Sequence, residues 1–399
     1  MRRAALTLAG KALAGLTLAG LIPNGAARAD PQDWHLTPYA VNLSDDAQLT
    51  LGGQALGALH GGDQGGLGGA LRLTPRIERD YDDGLVLALK ATILAAHDRL
   101  SPGRYGGQVF EKLTGEMQTG LGRVKIGQDD GAARLLSLSG PKLDEAVSLD
   151  DPQMVFFRDP KTGRPLDADS MLTTALTASS NFAKLTYLSP ALFGVQIGAS
   201  FTPSEGREGI PFLHEGPQRA DRQSAIWEAA IRYSASFGSL DLTAYGGFTE
   251  GHDERKTAGH AGLSEWALGT QADYNVNDDI KISLGGAFRR SNAYGFALGR
   301  VMAHGATQAA HLSARISDGP WLAGLEWGQG RSDAAPGQPD QPGLALYGDE
   351  ASIGYVFNTN LQITAGWQQL RAARDSGVFF NGASRFKLEA GFLHLNFHV

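Results

Sequence analysis

From residue 48 to the end of the chain, apolar and polar side chains alternate along one strand-length run after another. In the clearest run, 227–237, Trp227, Ala229, Ile231, Tyr233, Ala235 and Phe237 alternate with Glu228, Ala230, Arg232, Ser234 and Ser236. A period of two places successive residues on opposite faces of an extended strand. Leu71, Leu73 and Ile77 likewise oppose Arg72, Thr74, Arg76 and Glu78, and Leu85, Leu87, Leu89, Ala91 and Ile93 oppose Lys90 and Thr92. Sixteen such runs fit between 48 and 399, so the chain is expected to be all-β.

The connections narrow the choice of all-β fold. Seven are tight: 80–84, 120–122, 188–193, 237–239, 275–279, 317–320 and 357–360. Eight are long and polar: roughly 60–67, 97–108, 128–181, 202–223, 250–263, 291–307, 331–345 and 372–384. A closed antiparallel up-and-down barrel of sixteen strands, with both termini on the short-turn side, requires this count. Transmembrane barrels show the same asymmetry of short and long connections. A soluble sandwich would alternate in the same way, but it would keep its rings in mid-strand. Here Phe110, Trp227, Phe248, Trp266, Trp327 and Trp367 sit toward the long loops, and Tyr187, Phe193, Phe237, Tyr274, Trp321, Phe357 and Phe397 toward the short turns. Two aromatic belts at opposite strand ends are expected where rings meet lipid headgroups. The fold expected is therefore a transmembrane β-barrel.

The N-terminus agrees with export. Arg2 and Arg3 precede an apolar stretch, and Ala27-Arg28-Ala29 offers a small-residue cleavage site, the pattern of a secretory signal. Residues 1–29 are read as the signal peptide, cut before Asp30, and 30–47 as a short periplasmic extension without a clear period. Removing the signal takes four of the 35 basic residues and none of the 42 acidic ones, so the net charge moves from −7 to about −11. That charge argues against a nucleic-acid partner. The chain has no cysteine, hence no disulfide and no thiolate metal site. After the signal no apolar run reaches the ~20 residues a spanning helix needs; a closed barrel is the other structure that satisfies its backbone in lipid.

One connection stands apart. Residues 128–181 interrupt the alternation for far longer than an ordinary loop, and structureless loops of such length are uncommon and usually functional. Strand parity aims Arg72, Arg76, Lys90, Lys125 and Lys184 at the face opposite the apolar one. Arg or Lys on a lipid face costs about 2–4 kcal/mol at the midplane, so that face is the lumen. The long loop carries Asp144, Glu145, Asp150 and Asp151 in its central part, and Met154, Val155, Phe156 and Phe157 as an apolar run that pins it to an unidentified surface. Near the C-terminus the apolar parity passes from Phe386, Leu388 and Phe392 to Leu393, Leu395 and Phe397, which predicts a bulge near Gly391. Other motifs carry no chemistry: "DYDDG" at 80–84 lacks the spacing of a calcium loop, His214-Glu215 lacks a second histidine at helical spacing, and no G-x-S-x-G elbow occurs. No metal and no cofactor is expected.

"GRVKIGQDD" at 122–130 leading into the long loop, "SSNFAKLTYLSPALFGVQIGASF" at 179–201 leaving it, and the ending "KLEAGFLHLNFHV" resemble the Gram-negative general porins, the trimeric sixteen-stranded diffusion channels of the outer membrane. The resemblance covers about 30–399, although family members usually end in Phe and this chain ends in Val399. It implies passive diffusion of small hydrophilic solutes and ions through a water-filled channel. The third external loop, 128–181, would fold inward so that Asp144, Glu145, Asp150 and Asp151 face the basic wall of Arg72, Arg76, Lys90, Lys125 and Lys184. It further implies a homotrimer in outer-membrane lipid and lipopolysaccharide, inserted with the help of periplasmic chaperones and the barrel-assembly machinery. The absence of Trp from the first five strands, and the small outward Gly53, Ala55 and Gly57, point to the same trimer contact. Two alternatives stay open: a solute-specific channel for phosphate or sugar, and an outer-membrane barrel hydrolase with a Ser–His pair.

Overall fold

The computed structural model describes residues 37–82, 84–97, 109–158, 166, 172–179, 182–204, 223–253, 261–292, 307–333, 343–379 and 381–399. The expected signal segment, its cleavage site and the tips of several long loops lie outside these residues. The strands are β1 (Tyr39–Ser44), β2 (Ala47–Gly62), β3 (Gly66–Asp80), β4 (Val86–His97), β5 (Phe110–Thr119), β6 (Gly122–Gln128), β7 (Ala183–Leu188), β8 (Val195–Ser204) and β9 (Gln223–Phe237). They continue with β10 (Leu240–Asp253), β11 (Ser264–Asn275), β12 (Ile280–Ser291), β13 (Thr307–Asp318), β14 (Trp321–Ser332), β15 (Leu344–Val356), β16 (Leu361–Arg374) and β17 (Arg385–His398). A single helical turn, α1 (Ala132–Leu135), lies in the long loop.

Each strand from β2 to β17 pairs antiparallel with its successor. The ring closes where β17 pairs with β2, from Ala390↔Gly62 to His398↔Gln54. The sixteen-stranded barrel read from the alternation is therefore present. Val399 seals the seam: its N–H donates to the Gly53 carbonyl at 2.9 Å, and its carbonyl accepts from the Gly53 N–H at 3.0 Å. Beyond that point β1 takes up the vacated edge of β2, pairing from Tyr39↔Leu51 to Ser44↔Ala47. This extra strand forms inside the 30–47 extension, where the sequence has no period, because β2 outruns β17 and offers unpaired backbone there.

The outer face carries exposed Leu89, Ile126, Leu185, Ile197, Leu268, Leu284, Leu312, Leu325 and Ile353 all round the ring. Soluble monomers rarely expose contiguous apolar surface above a few hundred Å²; lipid is the solvent this face suits.

Two sequence expectations are answered by the inner face. No bulge occurs near Gly391: β17 keeps an unbroken register against β16 from Arg385↔Ala373 to Phe397↔Leu361. Its parity never switches. Phe386, Leu388 and Phe392 point inward and are buried, while Leu393 and Leu395 point outward and are exposed. The inward face is apolar because Met154, Phe156 and Phe157 of the long loop pack on it, in one cluster with Leu56, Ala58, Leu344, Leu346, Leu370, Phe386, Leu388 and Phe392. This is the surface to which the apolar run is pinned.

The long loop follows the inner wall. α1 lies against β8, β9 and β10. Further on, Leu138 and Gly140 cross Gly269 and Gly285 so closely that a Cβ on Gly269 would stand 1.9 Å from the Leu138 carbonyl oxygen, and one on Gly285 2.8 Å from the Gly140 Cα. The Lys142 and Leu143 carbonyls then accept from Arg315 at 3.0 Å and Gln362 at 2.9 Å. The chain crosses to β2 and β17, where Phe156 stacks between His60 and Phe392 with centroids 5.1 Å away on each side. On the return, the Ala175 carbonyl accepts from Arg289 at 2.8 Å and Leu176 packs with Tyr245 and Ala230. The loop thus lines the wall from β7 round to β2.

Candidate pore constriction

Between the loop and strands β2–β6 lies an open cavity of about 270 Å³. The wall contributes Gln54, Arg72, Lys90, Thr92, Glu111, Lys112, Thr114 and Lys125, and the loop contributes Asp129, Leu135 and Gln153. Three of the five basic residues singled out by strand parity, Arg72, Lys90 and Lys125, line it together. Arg72 donates through Nε to Glu111 Oε2 at 2.9 Å and through Nη1 to Gln153 Oε1 at 3.0 Å. Lys125 pairs with Asp129 and, at 3.5 Å, with Glu116. Lys90 is half-buried in the lining, and among the described residues it has no ion pair.

The other two basic residues stand apart from the cavity. Arg76 pairs with Glu78 and, at 3.1 Å, with Glu116. Lys184 is buried and donates to the carbonyls of Asp129 and Ser179, tying the two ends of the loop together.

The loop carboxylates do not meet this wall. Asp144 turns to the far side, where Oδ2 accepts from His394 Nδ1 at 2.6 Å and Thr364 Oγ1 at 3.0 Å, and Oδ1 accepts from the Ala146 N–H at 3.0 Å. Asp150 is buried against Lys142 at 3.1 Å and accepts from the Thr174 N–H. Asp151 pairs with Arg134, itself on the loop, and Glu145 is exposed. The expected opposition of loop acids and basic wall is replaced by another set of acids: Glu111, Glu116, Asp129 and Asp130, drawn from β5 and from the first residues after β6. A buried carboxylate needs a partner, and the loop acids find theirs where the loop lies on the wall, not where it faces open space.

Burial pushes the carboxyls of Asp129, Asp144 and Asp150 upward, and in each case the partners win. Lys112 and Lys125 hold Asp129 below its ordinary 3.8. The His394 hydrogen bond and charge, the Ala146 N–H and Thr364 do the same for Asp144. Lys142, His311 and the Thr174 N–H lower Asp150. Nearby, Glu326 Oε2 accepts from Ser148 Oγ at 2.6 Å and from the Leu149 N–H at 3.0 Å, and it lies 3.1 Å from His311 Nε2. The loop's polar residues therefore act as rivets.

Glu111 and Gln153 escape a period-two reading. At Glu111 the register of β4 and β5 shifts, with Thr92 facing Lys112 and Ile93 facing Phe110. The unpaired residue of such a bulge turns a side chain out of alternation; here Glu111 comes inward beside Lys112. Gln153 sits in irregular chain and carries no charge, so nothing in the pattern marks it. Lys112, Asp129 and Asp130 were visible as charges, and the pairing of Lys112 with Asp129 at 2.9 Å and Asp130 at 2.6 Å shows that they belong to this site.

A family model described as Gram-negative porin matches residues 4–358. No curated protein sequence matches the chain. Among solved structures, the anion-selective porin from Comamonas acidovorans is similar, with 14% identity, a TM-score of 0.55, and 89% of this chain and 100% of that one covered. OmpT of Vibrio cholerae, an outer membrane protein, matches at 12% identity and TM-score 0.55 over 89% of this chain and 98% of that one. Salmonella typhi OmpF, in a complex with daunomycin, matches at 11% identity and TM-score 0.55 over 90% and 100%. At these identities the likeness is one of fold.

Proposed function

The chain belongs to the Gram-negative porin family, and from that premise we propose that it forms an outer-membrane channel for passive diffusion of small hydrophilic solutes and ions, narrowed between the long loop and strands β2–β6. The observation that carries this reading is the cavity there between loop and wall, whose lining is mostly charged and amide side chains, with Thr92, Thr114 and Leu135. The expected narrowing by an acidic loop facing a basic wall is kept in altered form. Charges of both signs meet in the cavity, but the acids are Glu111, Glu116, Asp129 and Asp130.

The charged residues in direct contact with the cavity are four cations, Arg72, Lys90, Lys112 and Lys125, and two carboxylates, Glu111 and Asp129. Glu116 and Asp130 stand just behind, so the wider cluster is close to balanced and the ion preference is modest. Three of the lining cations are neutralised at contact by these four carboxylates, so Lys90 supplies the charge that offsets the surplus acid. A ring of fixed charge sets ion preference in narrow pores, and salt screens it over about 8 Å at physiological strength. Lys90→Gln is therefore expected to move the reversal potential toward cation preference in planar bilayers under a potassium chloride gradient. Asp150→Asn should leave it in place, since Asp150 is buried away from the cavity. Equal reversal potentials for Lys90→Gln and wild type would remove Lys90 from the constriction.

Residues 1–29 act as a signal peptide removed before Asp30, 30–47 stay on the periplasmic side, and the long loops face outward. The protein assembles as a homotrimer, as the trimer form of Vibrio cholerae OmpT does, with lipopolysaccharide around it and periplasmic chaperones and the assembly machinery acting during insertion. A channel suits the two fully buried histidines better than a hydrolase does: His311 bonds Glu326 and the Ser139 carbonyl, and His394 bonds Asp144, so neither pairs with a serine hydroxyl among the described residues.

A further inference from the structure

We infer that Gln153 is the specificity-determining residue of the constriction: its amide is an exchangeable tie on Arg72, and an anionic solute displaces it during passage. The inference rests on the channel reading above and names the solute class that the constriction favours. Arg72 joins the wall to the loop, with Nε held by the wall residue Glu111 and Nη1 by the loop residue Gln153. The two ends of this bridge differ in kind. Glu111 is a buried carboxylate, whereas Gln153 is a half-buried neutral amide on the edge of the cavity.

The Gln153 main chain is fixed. Its N–H donates to the Ala146 carbonyl at 3.0 Å, the Met154 N–H donates to the same oxygen at 2.9 Å, and Met154, Phe156 and Phe157 are buried just beyond. Only the side chain reaches across to Arg72. The guanidinium already makes its bond to the amide charge-assisted, but a carboxylate brings a full negative charge and paired oxygens that suit the guanidinium fork. A carboxylate entering the cavity therefore outcompetes the amide oxygen for Nη1 while Glu111 keeps Arg72 in place. Lys90, on the neighbouring strand, supplies a second cation in the same lining. A cation or a neutral solute gains nothing from the exchange and meets the narrower, tied opening.

The test uses the full-length protein in planar bilayers, with potassium chloride as electrolyte and potassium acetate as the carboxylate probe. Wild type should show a chloride current that added acetate partly blocks. Gln153→Glu puts a charged acceptor on Arg72 that a solute carboxylate cannot outcompete; conductance should fall, the reversal potential should shift toward cations, and the acetate block should be lost. Gln153→Ala removes the tie and should raise the conductance. Gln153→Asn keeps the amide but is one methylene too short to span, and should raise conductance in the same direction. Heat-modifiable migration on gels verifies a folded barrel in each variant. Unchanged conductance, reversal potential and acetate block in all three folded variants would overturn the inference while leaving the channel standing; absence of wild-type channels would overturn both.

Discussion

Replacing Asp144 by Ala removes the acceptor that three groups share: His394 Nδ1, Thr364 Oγ1 and the Ala146 N–H. Both Asp144 and His394 have fully buried side chains. Leaving a buried polar group without its partner costs about 1–3 kcal/mol, so the three together cost about 3–9 kcal/mol. The apolar anchor works against release of the whole loop. Met154, Val155, Phe156 and Phe157 are between 1% and 7% exposed, and burial of such side chains is worth about 1.5–3 kcal/mol each, roughly 6–12 kcal/mol together. The anchor is the larger effect, so the loop should loosen locally around 144–150 and stay seated at 156–158. Hydrogen exchange read by mass spectrometry separates the two stretches. At the lower end of the cost, amides 146–148 should exchange about a hundredfold faster in Asp144→Ala, since each ~1.4 kcal/mol is tenfold. The Arg158 N–H, held by Gln64 Oε1 at 2.8 Å, should be unaffected. Protection at 146–148 equal to wild type would refute the rivet, and equal loss at 156–158 would refute the ranking of anchor over rivet.

Three further outcomes are expected. The Asp144 carboxyl is held below its ordinary 3.8 in the folded protein, so its stabilising contribution is complete above about pH 4 and is lost as pH falls through the lowered value; exchange at 146–148, corrected for its intrinsic rate, should rise only in that acid range. Gly269→Val should lower the yield of heat-modifiable barrel or release the 136–140 segment to exchange, because a Cβ there meets the Leu138 carbonyl oxygen at 1.9 Å; a variant with wild-type yield and exchange would show that the loop does not depend on this contact. Gly57→Trp and Ala55→Trp should lower the temperature at which the oligomer dissociates on gels, since a Cβ on Gly57 meets open space on the outer face of β2, and an unchanged midpoint for both would place the subunit contact elsewhere.

The ring of strands was legible because its code is short. Lipid on one face and a polar lumen on the other impose a period of two, and sixteen repetitions of it leave little room for another fold. The parity that places Arg72, Lys90 and Lys125 in the lumen follows from the same code. The code fails where the lumen is not wet. Phe386, Leu388 and Phe392 read as a switch of face because apolar residues were assigned outward, whereas the loop has made this part of the interior dry. Asp144 and Asp150 read as pore charges because a loop of irregular chain has no period from which to tell wall from opening. Glu111 was hidden by a bulge and Gln153 by its neutrality; both depend on contacts between segments far apart in sequence. What the loop touches is a tertiary property, and no local pattern encodes it.

The apolar lining under the loop has a consequence before the barrel exists. In a strand that divides lipid from water only one face is greasy, and such a strand can cross an aqueous compartment with its polar face as a partial shield. In strand β17 that shield changes sides: Phe386, Leu388 and Phe392 lie on one face opposite Lys387 and Glu389, and Leu393, Leu395 and Phe397 lie on the other opposite His394 and Asn396. Segments of high β-propensity and low net charge are the ones that self-associate when unfolded. Lys387 and Glu389 interrupt this one near its start, leaving 390–397 without a formal charge apart from any carried by His394. The packing that holds the loop in the finished protein therefore leaves the last strand with apolar side chains on both faces, one face after the other, while it is still in transit.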